Sequence, residues 1–141
     1  EAGHLRQQGS FVPAVKAWTA QGVDVVLDPV GGGYLADNLK VMAVDGRLLL
    51  IGLMGGASSE LNLGLLLVKR FRLIGSTLRS RSDAAKATLL RDMGERLWPL
   101  FEAGRLRPII HARCPIGEVE AAFALVESNQ TFGKVVLELP G

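Results

Sequence analysis

The chain is poor in the residues that carry chemistry on their own. Its 141 residues hold one cysteine, Cys114, and two histidines, His4 and His111. A single cysteine excludes an intrachain disulfide and a multi-cysteine zinc site, and it suits a reducing, cytoplasmic setting. The two histidines stand too far apart in sequence to form a local metal motif. Aromatic residues make up 6% of the chain and the formal net charge is only +2. That is too little charge to argue for nucleic acid. Uncharged apolar runs such as residues 61–68 fall well short of the roughly 20 apolar residues that a spanning helix needs. No secretory signal opens the chain, and position 1 is Glu rather than Met, so an upstream segment is expected. Absent too is a G-x-G-x-x-G turn of the kind that seats a dinucleotide's pyrophosphate.

What is present is globular. Apolar residues at 48% and charged residues at 21% suffice for one domain, or for one domain and part of a second. Residues 22–56 carry the clearest pattern. A short β-branched run over 23–27 ends at Asp28-Pro29 and suits a strand buried on both faces. Gly31, Gly32 and Gly33 turn the chain into a helix with the apolar stripe Leu35, Leu39 and Met42. Asp45-Gly46 ends that element, residues 47–51 read as a second strand, and Gly52, Gly55 and Gly56 mark another turn. Asn62 is placed to cap a short apolar helix through Val68, and residues 73–77 read as a third strand. Three strands with intervening helices predict a parallel α/β sheet.

Upstream, Ser10 is a plausible N-cap for a helix carrying Phe11, Val15 and Trp18, with Pro13 in its first turn. Downstream, Ser82 or Asp83 caps a long helix with Leu90, Met93, Leu97 and Phe101 on its inner face. Pro99 is expected to kink or restart that helix. Residues 108–113 look extended, Val119, Phe123 and Val126 mark another helix, and residues 134–139 form a last strand. The composition changes near residues 79–83.

Two glycine turns at strand C-termini point to ligand chemistry. Small residues let a ligand approach the backbone, and the helix after Gly31-Gly32-Gly33 would offer free N–H groups to an anion. A cofactor lying across the carboxyl ends of the strands would touch both turns. The third strand ends on Gly75-Ser76-Thr77, again small and polar. Lys69, Arg70, Arg72, Arg79 and Arg81 read as a solvated basic face. Asp28, Asp37 and Asp45 form no evident carboxylate pair, and Cys114 beside Arg113 reads as incidental. No local feature assembles a nucleophile, a base and an orienting group.

Four ordered motifs, GVDVVLDPVGG, LKVMAVDGRLLLIGLMGG, STLRSRS and FGKVVLELP, together resemble the zinc-independent NADPH:quinone oxidoreductases of the medium-chain dehydrogenase/reductase superfamily. The resemblance covers nearly everything from Phe11 onward. It implies an α/β fold, namely the second half of a Rossmann parallel sheet (strands four to six) followed by the C-terminal segment of a GroES-like catalytic domain. The implied division is residues 1–81 as a partial cofactor-binding domain, 82–106 as a connecting helix and 107–141 as the return to the catalytic domain. The chain is thereby expected to be a C-terminal fragment, inactive by itself. In the sheet order 3-2-1-4-5-6 the fourth strand pairs with the first, so residues 23–27 are expected to show an open apolar edge.

The resemblance also implies hydride transfer from NADPH (or NADH) to a quinone or α,β-unsaturated carbonyl, without zinc. Alternatives are an alkene or enoyl reductase of the same superfamily, or an inactive truncated dimerising module. Carried over by position, Asp28, Pro29 and Val30 would lie beside the cofactor. Gly52, Leu53 and Met54 would border the carboxamide and ribose, and Gly75, Ser76 and Thr77 would face the nicotinamide ring. Thr131, Gly133 and Lys134 would close the pocket from the catalytic side. The third strand would pair across a two-fold in a homodimer, with no nucleic-acid or membrane partner. Three departures stand out. The glycine-rich pyrophosphate turn and the basic residues that select NADPH are absent, and the family's tyrosine before the first helix has no counterpart, with Arg6 at the nearest position.

Overall fold

The computed structural model describes residues 3–5 and 8–140. They fall into two compact units, Glu1–Arg81 and Ser82–Gly141. Arg6 lies outside the described residues.

The first unit runs α1 (Val12–Trp18), β1 (Val23–Asp28), α2 (Gly32–Val41), β2 (Met42–Leu50), α3 (Leu63–Lys69) and β3 (Arg72–Gly75). The three strands form one parallel sheet in the order β1-β2-β3. In register, Val26, Leu48 and Leu73 form one row across the sheet, and Leu27, Leu49 and Ile74 form the next. Side chains alternate between faces along a strand, so these rows point to opposite sides. The helix side holds the core. Leu39, Met42, Leu48 and Phe71 are buried, with Val26, Leu35, Leu50, Leu61, Leu65 and Leu66 packed around them. Each fully buried side chain of this size contributes about 1.5–3 kcal/mol. On the other side Val25, Leu27 and Ile74 are exposed, and among the described residues β1 is an end strand of the sheet, as the strand order implies.

Met42 shows where periodicity misleads. Its spacing puts it on the apolar stripe of α2, yet it opens β2 and is completely buried. Nor does Asp45-Gly46 end an element. β2 continues through it as an irregularity: Val23 pairs with Met42 and Val25 with Arg47, so three extra residues bulge from β2. Asp45 takes a left-handed conformation (φ 62°) at this bulge, which Asp tolerates better than most residues. Its carboxylate accepts two hydrogen bonds from Arg70, at 2.8 and 2.6 Å, and Arg70 is itself left-handed at the C-cap of α3. This ion pair therefore joins two left-handed turns of the chain.

Caps follow the sequence signals in part. The Asn62 side chain accepts from the Leu65 N–H at 2.9 Å. Ser10 does not cap α1 in the expected way. The N-cap is Phe11, and the Ser10 hydroxyl accepts from Val12 N–H while donating to Asp37 on α2 at 2.6 Å. With the Phe11–Tyr34 edge-to-face contact, 5.3 Å between centroids, this ties α1 to α2. Trp18, on the same helical spacing as Phe11 and Val15, is exposed.

The second unit contains α4 (Asp83–Glu102), β4 (Ile110–Pro115), a 3-10 turn (Ile116–Glu118), α5 (Val119–Glu127) and β5 (Lys134–Glu138). Strands β4 and β5 pair in parallel. Ser82 caps α4 through Ala85 N–H at 3.3 Å. The helix neither stops nor restarts at Pro99 but runs on to Glu102. Only the last turn follows the proline, so few intrahelical bonds are at stake. The expected inner stripe of α4 is not buried: Leu90, Met93 and Phe101 are all exposed. In α5, Ala122 is buried, whereas Phe123 and Val126 are exposed.

Candidate functional site

The carboxyl ends of β2 and β3 border a groove of about 600 Å³ whose lining includes Gly52, Leu53, Gly75, Ser76, Thr77 and Arg79. The chain forms it simply. Ser76 N–H donates to Leu50 O at 2.9 Å, holding the end of β3 against the end of β2 before the chain turns away. Arg81 Nε donates to Thr77 O at 3.3 Å, which steadies the turn that carries Arg79.

The two groove glycines have opposite surroundings. A Cβ on Gly52 would sit 2.6 Å from Pro29 O, so glycine is needed there for the ends of β1 and β2 to approach. A Cβ on Gly75 would meet nothing within 4 Å. Gly52 is thus small because protein fills the space beside it, and Gly75 borders open space.

The β1–α2 turn differs from its expected role. Read as a turn with free amides, Gly31-Gly32-Gly33 is in fact fully engaged. Asp28 is buried, and its Oδ1 accepts from Val30 N–H at 2.7 Å and Gly31 N–H at 3.0 Å. Gly32 N–H donates to Gly56 O at 2.9 Å and Gly33 N–H to Gly55 O at 3.1 Å. The orphan amides at a helix N-terminus are therefore all taken, and a carboxylate of the chain already holds the place an anion would occupy. The two glycine turns pack on each other.

Of the residues marked from sequence, Gly52, Leu53, Gly75, Ser76 and Thr77 come together at the groove. Asp28, Pro29 and Val30 lie behind it, where their carbonyls accept from Ile51, Met54 and Gly55 N–H at 2.9, 3.3 and 2.7 Å. Met54 is almost fully exposed at the loop tip and is not among the groove residues. Thr131, Gly133 and Lys134 belong to the second unit. There Gly133 is left-handed (φ 100°) at the entry to β5, where a Cβ would strike Ile109 O. Lys134 N–H donates to that carbonyl at 2.8 Å and Phe132 N–H to His111 Nδ1 at 3.3 Å. Arg79 was read from sequence as part of a solvated basic face. Its position two residues after Gly75-Ser76-Thr77 was the signal that could have placed it at the groove.

The family model described as zinc-binding dehydrogenase matches residues 4–137. The chain belongs to this family, within the medium-chain dehydrogenase/reductase superfamily. Among the family's curated members, quinone oxidoreductase-like protein 2 of Bos taurus is 31% identical over 94% of this chain, which covers 38% of that protein. Acryloyl-coenzyme A reductase of Metallosphaera sedula is 27% identical over 82% of the chain and 32% of its own length. The crystal structure of CurK enoyl reductase superposes with a TM-score of 0.67 at 27% identity, covering 93% of this chain and 39% of that one. The chain thus spans between about a third and two fifths of the length of these relatives.

The family's description names zinc. Among the described residues no three His, Cys, Asp or Glu side chains gather where they could hold a metal ion, so these residues supply no zinc ligand set. A nicotinamide fits better. The open side of Gly75, the hydroxyls of Ser76 and Thr77 and the backbone at Gly52 suit a flat polar ring and its ribose, and Arg79 offers a cation to a phosphate. The N-terminus of α2, filled by Asp28, does not suit the pyrophosphate. No helix among the described residues is long and apolar enough to cross a membrane.

Proposed function

We propose that this chain provides the nicotinamide-side wall of an NAD(P)H-dependent oxidoreductase that reduces a quinone or an α,β-unsaturated carbonyl. The observation that carries the reading is the groove at the ends of β2 and β3, walled by Gly52 and Leu53 and open beside Gly75. A bound reduced nicotinamide supplies a hydride, two electrons and one proton, to an electrophilic acceptor, and solvent supplies the second proton. The chain's own part is positional. Gly75 leaves room for the ring, the Ser76 and Thr77 hydroxyls serve as hydrogen-bond partners for its carboxamide, Leu53 covers an apolar side, and Arg79 pairs with a cofactor phosphate.

Two kinds of relative support the two acceptor classes, since one is named as quinone oxidoreductase-like and another as an acryloyl-coenzyme A reductase. Steady-state assays of the natural protein with NADPH and NADH, against quinones and enoyl thioesters in parallel, decide between them. Activity on neither class with either cofactor would sink the proposal. A homodimer formed through β3, an end strand of the sheet among the described residues, is part of the same reading, as is a reducing cytoplasmic setting. Light scattering that shows a strict monomer would remove the dimer.

A further inference from the structure

Among the described residues, two polar side chains are buried, Asp28 at 2% exposure and Asn38 at 4%. They face each other, with Asn38 Nδ2 donating to Asp28 Oδ2 at 2.9 Å. The other carboxylate oxygen takes the Val30 and Gly31 amides. Burying a carboxylate is costly unless its lone pairs are met, and here three donors and the positive end of α2 meet them.

That arrangement reaches the groove through the backbone. The turn that Asp28 ties down supplies both partners of a short ladder to residues 51–56. Asp28, Pro29 and Val30 carbonyls accept from Ile51, Met54 and Gly55, while Gly32 and Gly33 amides donate to Gly56 and Gly55. Five backbone hydrogen bonds therefore suspend the loop that carries Gly52 and Leu53 from a turn fixed by one side-chain pair. We infer that Asp28 and Asn38 form a latch, acceptor against donor, that positions the groove wall for its ligand. They are positioning residues: neither side chain needs to touch the ligand. This rests on the reading of the groove as a nicotinamide site.

The pair's polarity makes the inference testable in the natural protein. Asn38→Asp sets a second carboxylate against Asp28, removes a donor and leaves buried charge unmet. Adding Asp28→Asn to that variant restores an acceptor for the Val30 and Gly31 amides and a donor toward position 38, now with the roles exchanged. Two readouts are taken: amide exchange of the peptide covering residues 51–56, and the dissociation constants of NADPH and NADH by calorimetry. The latch predicts that Asn38→Asp speeds exchange over 51–56 and weakens nucleotide binding about tenfold, the scale of one lost hydrogen bond to a charged group. The double variant should return exchange to the wild-type rate and binding to within about threefold, well inside a tenfold step.

If Asn38→Asp does not fold, Asn38→Ala removes one donor without adding charge, and a smaller change in the same direction is expected. Variants that melt earlier but keep wild-type exchange over 51–56 would overturn the latch, as would a double variant that recovers neither readout. Should the wild type bind neither nucleotide, the nicotinamide reading fails. The exchange data still judge the latch, because loss and recovery of protection over 51–56 do not depend on the ligand.

Discussion

Gly52 and Gly75 stand at the ends of adjacent strands, and adding one methyl group to each should have opposite consequences. At Gly75 an added Cβ has no heavy atom within 4 Å and needs no unusual backbone, since Gly75 is not among the residues with positive φ. Alanine there should leave the fold intact and stabilise it by about 0.4–1 kcal/mol, because the unfolded chain loses freedom. The new methyl occupies space that the ligand would use, and a ligand displaced from good contact loses about 1.4 kcal/mol for each tenfold in affinity. A tenfold rise in the nucleotide dissociation constant, with an unchanged or slightly higher Tm, is the expected result. At Gly52 the methyl would lie 2.6 Å from Pro29 O and 3.2 Å from Pro29 C and Cα. These are backbone atoms and cannot swing aside, so Gly52→Ala should cost about 1–3 kcal/mol in strain. That lowers Tm by a few degrees, at about 2–4 °C per kcal/mol for a domain of 150–250 residues. The assays are thermal unfolding and calorimetric titration with NADPH and NADH on the natural protein. If Gly75→Ala binds both nucleotides as the wild type does, the groove is not where the cofactor lies. If Gly52→Ala melts at the wild-type temperature, the packing account of the β1 and β2 ends is wrong.

Other outcomes follow from the same geometry. The Asp37 carboxyl is held below its usual range, chiefly by the hydrogen bond from Lys40 and then by that from Ser10. Its folded value is depressed, so the contribution is present above the unfolded value of about 3.9 and is lost as pH falls through the lower folded one. A carboxyl NMR titration should place Asp37 below its usual value, with Lys40→Ala raising it more than Ser10→Ala; an ordinary value in the wild type would contradict this. Leu39→Ala opens the centre of the core and should cost about 2–5 kcal/mol in chemical denaturation, whereas a loss under 1 kcal/mol would mean the core is elsewhere. The 141 residues alone should not bind NADPH in the micromolar range, because the helix terminus that could seat its pyrophosphate is filled by Asp28. Calorimetry showing such binding would refute that account.

Local signals in the chain carry the strands and helices well where one residue type dominates. The β-branched run ending at Asp28, the Asn62 and Ser82 caps and the order of elements follow from side-chain sterics and hydrogen-bonding groups next to them in sequence. What depends on a partner distant in sequence does not show. Met42 fits a helical stripe by spacing but pairs with Val23 in the sheet, since tertiary pairing overrides a one-turn periodicity. The spacing along α4 specifies an amphipathic helix, yet it says nothing of which surface, if any, meets Leu90 or Phe101.

The same limit governs the site. Gly75, Ser76 and Thr77 could be placed at a strand end from the sequence, and the fold adds that Gly75 borders open space. Gly31, Gly32 and Gly33 looked equivalent, but their amides are claimed by residues 55 and 56 and by Asp28. A glycine that admits a ligand and one that admits another loop read alike until the neighbour is known. Arg79 was hidden for the converse reason, a charged residue among charged residues whose position depends on how the chain turns after β3.

The central claim is that a nicotinamide lies against the carboxyl ends of β2 and β3. A crystal structure of the natural protein with NADP⁺ tests it most directly. The account predicts the nicotinamide ring over Gly75, its carboxamide near Ser76 and Thr77, and the Asp28–Asn38 bond intact with no phosphate at the N-terminus of α2. A nucleotide whose pyrophosphate rests on Gly31, Gly32 and Gly33, or whose ring lies away from β3, would contradict it.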